Sequence, residues 1–194
     1  MAYEGIDMRR RKPGVVFKAA RIETPRRRVN SRGLLTTASH MPVLLKVLRA
    51  VRPSSVLEVG AGWYSTALLQ SYAIGHGCEH CILETHPRYR DLISRVYGCQ
   101  VEMFDGHVLP DAVMRDWGLV FIDHAIADAR KDVAIAIKDH ADVIVLHDAN
   151  PADDATYLYP AVIPEWKHHR RVSDVWPQTL VLSDSDEVWQ VLGV

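Results

Sequence analysis

The fold is decided at residues 56–66, which read Val56-Leu57-Glu58-Val59-Gly60-Ala61-Gly62-Trp63-Tyr64-Ser65-Thr66. An apolar run ends there at a Gly-Ala-Gly turn, and a segment that can form a helix follows at about residues 65–73. A glycine-rich turn between a strand and a helix brings the backbone close to a nucleotide-like ligand. The stretch therefore predicts a strand, a turn and a helix that form a ligand site.

Short β-rich runs alternate with segments that can be helical on both sides of this turn. The predicted strands span residues 55–59, 81–84, 100–104, 119–122 and 143–146, and the predicted helices span residues 39–51, 65–73, 87–98, 110–114 and 128–139. Near the end of the chain, residues 179–182 and 188–192 are predicted as an antiparallel strand pair joined by residues 183–186. This alternation is typical of βαβ units, so we expect an α/β fold with a mostly parallel sheet.

The composition is that of a globular protein. The chain has 194 residues, of which 48% are hydrophobic and 24% charged, enough for one domain with a substantial core. No apolar run approaches the roughly 20 residues that span a bilayer. Three cysteines are too few for a disulfide framework, and the N-terminus does not resemble a signal peptide. We therefore expect a cytoplasmic protein that does not enter a membrane.

The charge is unevenly distributed. Residues 1–32 hold ten Lys/Arg against three Asp/Glu, whereas residues 33–194 hold thirteen against twenty-one. We predict a basic N-terminal arm and lead-in at residues 1–38, followed by a single domain at residues 39–194. The arm could contact phosphates or an acidic partner surface, or it could be a solvated segment.

Two acidic residues accompany the glycine turn. Position 65 is Ser where a dinucleotide fingerprint needs a third glycine, so a pyrophosphate ligand is disfavoured. Glu58, near the end of the first strand, is predicted to hold a cationic amino-acid group. Glu84, at the end of the second strand, is predicted to take the hydroxyls of a ribose. An adenosine ligand with a zwitterionic tail fits both carboxylates, whereas the alternative is surface acids beside an ordinary turn.

These residues resemble the first and second motifs of class I S-adenosylmethionine-dependent methyltransferases, over roughly residues 40–150. The resemblance implies a Rossmann-like three-layer sandwich with a seven-stranded sheet. It assigns the glycine loop to the methionine portion, Glu84 to the ribose and Asp105-Gly106 to the surroundings of the adenine. The full set of predicted cofactor contacts is Glu58, Gly60, Ala61, Gly62, Ser65, Glu84, Asp105, Gly106 and Asp123.

Polar residues follow the fourth and fifth predicted strands, at the edge where open α/β sheets bind ligands. They are Asp123-His124 and His147-Asp148-Ala149-Asn150. The segments resemble the small-molecule O-methyltransferase branch, including catechol-type enzymes that bind magnesium. Mapped by motif, the ligands of a Mg²⁺ ion would be Asp123, Asp148 and Asn150. The sequence departs from the pattern because Asn150 lies two places after Asp148 rather than next to it.

Methyl transfer to a hydroxyl requires that its proton be removed. His147 or His124 could act as general base, and Asp148 adjoins His147. A magnesium ion could instead lower the pKa of the hydroxyl. The predicted function is therefore transfer of a methyl group from S-adenosylmethionine to an oxygen of a small-molecule acceptor.

Two other functions remain open at this point. A nucleic-acid methyltransferase or binding module would use the basic arm for phosphate contacts. A non-catalytic nucleotide-binding subunit would bind the cofactor without turnover. The sequence leaves the oligomeric state open, a dimer included.

Three further signals are interpreted as structural. Residues 78–81 read Cys-Glu-His-Cys, a metal-like spacing, but no second pair follows. The run His-His-Arg-Arg at residues 168–171 is interpreted as a solvated surface. Tyr157, Tyr159 and Trp166 are interpreted as core residues, with a wall of the substrate pocket as the alternative.

Overall fold

The computed structural model describes residues 38–193. The basic arm predicted for residues 1–38 lies outside these residues, apart from Ala38. The strands are β1 (Ser55–Val59), β2 (Glu79–Glu84), β3 (Glu102–Met103), β4 (Leu119–Ile122), β5 (Ile144–Leu146), β6 (His168–Val172) and β7 (Thr179–Ser183). The helices are α1 (Met41–Val51), α2 (Ser65–His76), α3 (Pro87–Tyr97), α4 (Ala129–Ala136), α5 (Asp154–Tyr157), α6 (Tyr159–Val162) and α7 (Asp186–Leu192).

All seven strands belong to one sheet in the order β3-β2-β1-β4-β5-β7-β6. β1 to β5 pair in parallel, and β7 runs antiparallel to both of its neighbours, β5 and β6. Val59 pairs with Leu83 on one side and with Ile122 on the other, so the first, second and fourth strands end level with one another. The mostly parallel seven-stranded sheet with a C-terminal antiparallel pair confirms the predicted fold class.

Alternate residues of the strands pack on opposite faces of the sheet. Leu57 and Val59 join one hydrophobic cluster, which includes Val133 of α4 and Val162 of α6. Val56 joins a second cluster, formed with α1, α2 and α7. Because side chains alternate along a strand, both faces of the sheet are apolar. Helices pack on each face, so the described part of the chain has three layers.

One predicted strand is wrong: residues 188–192 belong to the helix α7, and the antiparallel partner of β7 is β6. The hydroxyl of Ser185 accepts a hydrogen bond from the amide of Val188, and acidic residues occupy the first turn, both of which favour a helix start. Leu192 is buried on this helix. The basic run at residues 168–171 forms the edge strand β6, where outward-facing charge is tolerated.

Other element boundaries differ less. β2 begins two residues earlier than predicted, β3 is only two residues long, and the helix predicted at residues 128–139 is divided into α4 and a 3₁₀ turn at Lys138–His140. None of the helices within residues 38–193 has the length and apolarity needed to cross a bilayer.

Candidate functional site

The glycine turn after β1 packs directly against the segment after β4. Gly60 has a φ of +101°, and a Cβ at this position would overlap the backbone of Asp123 and His124. Only glycine combines this left-handed conformation with such a close approach. At Gly62, a Cβ would meet the hydroxyl of Ser65, which is 1% exposed at the start of α2. The turn is therefore fixed by two neighbouring segments rather than by its own sequence alone.

Glu84 faces this turn from the end of β2. Its Oε2 accepts a hydrogen bond of 2.9 Å from the amide of Ala61, and its Oε1 accepts bonds of 2.8 Å from the amides of Thr85 and His86. A cavity of about 410 Å³ opens beside it, lined by Ala61, Glu84, His86, Arg88, Tyr89, Leu92, Asp123 and Ala125. This volume is within the range of small-molecule sites. The structure thus brings together three of the predicted cofactor contacts, Ala61, Glu84 and Asp123, in one cleft.

Glu58 does not line this cleft. It is fully buried, its Oε1 accepts from the hydroxyl of Thr66, and its Oε2 lies 3.1 Å from Nε2 of His80. These bonds link β1 to α2 and β2. Glu58 lies two residues after Val56 and therefore points to the same face of the sheet, the one covered by α1, α2 and α7. This position corrects the expectation that Glu58 could hold a cationic group of the ligand.

The contact between Glu58 and His80 also bears on the metal-like Cys-Glu-His-Cys spacing of residues 78–81. His80 pairs with Glu58 and, through Nδ1, with Gln70 at 3.0 Å. Burial raises the pKa of Cys81 to about 11, so its thiol stays protonated at neutral pH. The surroundings of His80 and Cys81 therefore support the structural interpretation of residues 78–81.

The segment after β3 forms another wall near the cleft. Gly106 has a φ of +97°, and a Cβ there would overlap Ile126 and crowd Thr85. Asp105 is exposed and accepts hydrogen bonds of 2.8 Å from the amides of His107 and Val108. These backbone bonds hold the pKa of Asp105 below its ordinary value. Asp105-Gly106 is thus a rigid turn beside the residues that follow β2.

An arginine that sequence reasoning missed joins the segments after β4 and β5. Arg130 of α4 is 5% exposed; its Nη2 lies 2.9 Å from Oδ1 of Asp123, and its Nη1 lies 3.3 Å from Oδ2 of Asp148. Its Nε donates to the backbone oxygen of His124 at 2.8 Å. The sequence did contain a sign of this role, because Arg130 is a charged residue on the apolar face of its helix, together with Val133 and Ala134.

His147 completes this network. Its Nδ1 lies 3.2 Å from Oδ2 of Asp123 and 3.4 Å from Oδ1 of Asp148, while its Nε2 lies 2.9 Å from the hydroxyl of Ser39. We call Asp123, Arg130, His147 and Asp148 the Asp123 network. Burial opposes ionisation of Asp123, but the charges of His147 and Arg130 outweigh it and hold the pKa of Asp123 below its usual range. Burial also opposes a charge on His147, yet Asp123 raises the pKa of His147 above its ordinary value.

Two tyrosines, Tyr157 and Tyr159, form hydrogen bonds with residues of the Asp123 network. Tyr159 is fully buried and donates from its hydroxyl to the backbone oxygen of His147 at 2.7 Å. Tyr157 donates to Oδ2 of Asp148 at 3.1 Å, and its ring lies 4.7 Å from the guanidinium carbon of Arg130. Asp148 has a φ of +57°, a strained conformation for a residue with a side chain. The core interpretation therefore fits Tyr159 and Trp166, which belong to one hydrophobic cluster, whereas Tyr157 packs at the edge of that cluster and also contacts the charged groups.

Two other buried histidines near the network, His124 and His40, have different surroundings. His124 is 1% exposed, and its ring packs edge-on against Phe104, with centroids 5.5 Å apart, rather than toward the Asp123 network. His40, immediately before α1, is 2% exposed and lies perpendicular to the ring of His147 at 4.7 Å. Burial lowers the pKa of His40 to about 3 and that of His124 to about 4, so both are neutral at pH 7.

The residues predicted to hold magnesium do not fit that ion in this arrangement. Both polar atoms of Asn150 are used: its Nδ2 donates to Asp153 at 2.6 Å, and its Oδ1 accepts from the amide of Gln178 at 2.8 Å. The guanidinium of Arg130 lies between the carboxylates of Asp123 and Asp148. One oxygen of each carboxylate is thus already paired with Arg130, and the oxygen of Asn150 is taken as well, so the structure corrects the expected ligand set of Asp123, Asp148 and Asn150.

Comparisons with known proteins identify the class of fold. No protein-family model matches the sequence, and no curated protein matches it. A proposed O-methyltransferase from Klebsiella pneumoniae aligns at a TM-score of 0.54 and 15% identity, over 81% of this chain and 84% of that one. The N-methyltransferase NodS from Bradyrhizobium japonicum WM9, in complex with S-adenosyl-L-homocysteine, aligns at 0.52 and 12%, over 74% and 83%. An O-methyltransferase from Bacillus cereus, also with that ligand, aligns at 0.50 and 14%, over 82% and 84%.

These structures share the architecture of the class I methyltransferases. The chain therefore has the class I methyltransferase fold, as predicted from its glycine turn and from the alternation of strands and helices.

Proposed function

We propose that the chain transfers a methyl group from S-adenosylmethionine to an oxygen atom of a small molecule. The observation that carries the proposal is the position of Asp123, which lines the cleft with Ala61 and Glu84 and also pairs with His147. A donor in the cleft and an acceptor at the Asp123 network would meet at this one side chain. The fold similarity to methyltransferases crystallised with S-adenosylhomocysteine supports the choice of donor.

The proposed donor contacts surround the cleft. The backbone of residues 60–62, with Ser65 behind it, would lie against the methionine portion, and Glu84 would accept hydrogen bonds from the ribose hydroxyls. Asp105-Gly106 would lie beside the adenine. When bound, the sulfonium supplies an electrophilic methyl group. We leave Glu58 out of this set because His80 and Thr66 occupy its carboxylate.

The chain itself must orient the acceptor and dispose of its proton. As the bond from oxygen to methyl forms and the bond from sulfur to methyl breaks, the hydroxyl proton has to pass to a base. We assign this task to the Asp123 network, with His147 as the predicted proton acceptor and Asp148 as the residue that orients it. His124 is set aside as a base because its ring packs against Phe104.

The chemistry of the network favours oxygen over nitrogen as the acceptor. A neutral amine is already nucleophilic, whereas a hydroxyl at neutral pH must be activated. Groups that take up or stabilise charge, such as Asp123 and His147, therefore serve a hydroxyl more than an amine. The alternative of a nucleic-acid acceptor depended on the basic arm, which lies outside the described residues.

The donor is tested by calorimetric titration of the full chain with S-adenosylmethionine, S-adenosylhomocysteine and NAD. We expect one molecule of either sulfur ligand per chain and no heat from NAD. Tight binding of NAD without binding of the sulfur ligands would overturn the proposal.

The acceptor is tested with isotope-labelled methyl donor and paired small molecules, each a phenol or catechol with its amine analogue. We expect label in the methyl ethers only. Labelled N-methyl products without methyl ethers would contradict an oxygen acceptor.

A further inference from the structure

His40, Asp123 and His147 form a cluster that the proposed methyl transfer does not fully use. Each offers one ligand atom, and these atoms lie within 4.8 Å of one another. His40 and His147 are 2% and 4% exposed, so the cluster lies inside the protein beside the cleft. We call these residues the histidine cluster.

The ring of His40 is the observation that asks for a ligand. Neither of its nitrogens has a hydrogen-bond partner within residues 38–193, although both are shielded from solvent. The same is true of His124, but among the described residues it is His40 that lies within ligand distance of a carboxylate and a second imidazole. Buried polar atoms are nearly always paired, so an unpaired imidazole needs an explanation. A proton shared by His147 and Asp123 would satisfy those two residues and still leave His40 without a partner.

The charges around the cluster also favour a cation. Arg130 supplies one positive charge to two carboxylates, Asp123 and Asp148. The second oxygen of Asp123, Oδ2, faces His147 and lies 3.2 Å from its Nδ1. A metal ion held between these two atoms would be attracted by the carboxylates and would give His40 its missing partner.

We propose that the histidine cluster binds a divalent transition-metal ion of the zinc type rather than magnesium. Two imidazole nitrogens and one carboxylate oxygen suit zinc and its neighbours, whereas magnesium prefers oxygen ligands alone. Three protein ligands leave a coordination position open for water or substrate. Ligand atoms around a tetrahedral zinc ion lie about 3.4 Å apart, close to the 3.2 Å between His147 Nδ1 and Asp123 Oδ2.

Ser39 orients one of the ligands. Its hydroxyl lies 2.9 Å from Nε2 of His147. When Nε2 of His147 carries the proton, it donates a hydrogen bond to the hydroxyl of Ser39, and the lone pair of Nδ1 then points toward Asp123. Metal-bound histidines are commonly held in this way by a hydrogen bond from their second nitrogen.

The ion would have a role in the proposed reaction, and this part of the inference rests on the proposed function. An ion with an open position at Asp123 would lower the pKa of an acceptor hydroxyl. His147 would then be a ligand, and the proton of the acceptor hydroxyl would pass to solvent water rather than to His147. Binding of the ion itself does not depend on methyl transfer.

The test is calorimetry on the tag-free full chain, first treated with a chelator and then titrated with ZnCl₂ or MgCl₂ in the absence of any methyl donor. We expect one tightly bound Zn²⁺ per chain and much weaker binding of Mg²⁺. His40→Ala should lower the Zn²⁺ affinity more than about a hundredfold, beyond the effect of losing an outer-shell partner, whereas Ser39→Ala should lower it roughly tenfold. No Zn²⁺ binding by the wild type, or unchanged affinity in His40→Ala, would overturn the proposal.

His124→Ala is the matched control because it removes an equally buried histidine outside the cluster. It should bind Zn²⁺ like the wild type, and circular dichroism checks that each variant is folded. A measurement on the wild type needs no variant: pulsed EPR of the protein with one equivalent of Cu²⁺ should detect two coordinated imidazoles, and fewer than two contradicts the site. If the wild type bound Zn²⁺ but did not bind S-adenosylhomocysteine, the proposed function alone would be contradicted.

Discussion

The buried Arg130 forms an ion pair with the partly buried Asp123, 2.9 Å between Nη2 and Oδ1, that connects α4 to the segment after β4. The pair is what separates the two carboxylates of the site, since the same guanidinium also contacts Asp148. It explains why a site with so many acidic groups does not have the ligand arrangement of a magnesium centre.

The first prediction concerns Arg130. Arg130→Met removes the charge but keeps much of the side-chain volume, and leaves two partly buried carboxylates, Asp123 and Asp148, without their cation. We expect a loss of about 2–3 kcal/mol in the free energy of unfolding, below the roughly 3–5 kcal/mol of a broken pair that is fully buried. Urea unfolding followed by circular dichroism measures it. Lys131→Met, at the next position of α4, removes a charge paired at the surface with Asp132 and should lose less than about 1 kcal/mol. Similar losses in both variants would contradict the buried pair.

The second prediction concerns Glu84. Glu84→Gln keeps the size of the side chain but removes the charge that would accept the ribose hydroxyls. The affinity for S-adenosylhomocysteine should fall about 10- to 100-fold, which corresponds to hydrogen bonds to a charged group. Calorimetry measures this loss, and Glu79→Gln, at the exposed start of the same strand, serves as control. An unchanged affinity in Glu84→Gln would mean that the ribose assignment is wrong.

The third prediction compares two glycines. Gly60→Ala places a Cβ against the backbone of Asp123 and His124 at a φ of +101°, so both the clash and the left-handed conformation destabilise it. The conformation alone costs roughly 1–2 kcal/mol, and the clash should add to it. Gly75→Ala, in the last turn of α2 with open space around it, should instead stabilise the protein by about 0.5 kcal/mol. Thermal unfolding midpoints that shift in opposite directions would support this; a neutral Gly60→Ala would show that the turn can move.

The fourth prediction is a dependence of stability on pH. Burial opposes ionisation of Asp184, but its bonds to Lys138 and to the amide of Lys167 lower the pKa of Asp184 below its ordinary value. A depressed pKa in the folded state contributes stability above the unfolded pKa of about 3.9, and this contribution is lost as pH falls through the folded pKa. Asp184→Asn should therefore be less stable than wild type at pH 6, and the difference should shrink steadily below about pH 4. Urea midpoints measured across this range give the result, and a constant difference would show that Asp184 does not act through its charge.

The sequence was sufficient for the parts of the molecule that depend on neighbouring residues. The glycine turn, the parallel strands before residue 147 and the acid at position 84 follow local rules of periodicity and turn chemistry. The error at residues 188–192 has a local cause as well. The apolar residues Val188, Trp189, Val191 and Leu192, two of them β-branched, favoured a strand, but the serine cap at position 185 and burial of Leu192 against the sheet favour a helix.

What the sequence by itself determined is therefore the class of fold and the edge of the sheet at which the cleft lies. Only the tertiary structure decided which side chains share that edge. Ser39 and His147 are 108 positions apart, and contacts of this separation depend on how α1 packs on the sheet. Packing likewise turned Glu58 toward His80 and placed Arg130 between two carboxylates. Local patterns specify helices and strands, whereas burial and charge pairing across the sheet specify the site.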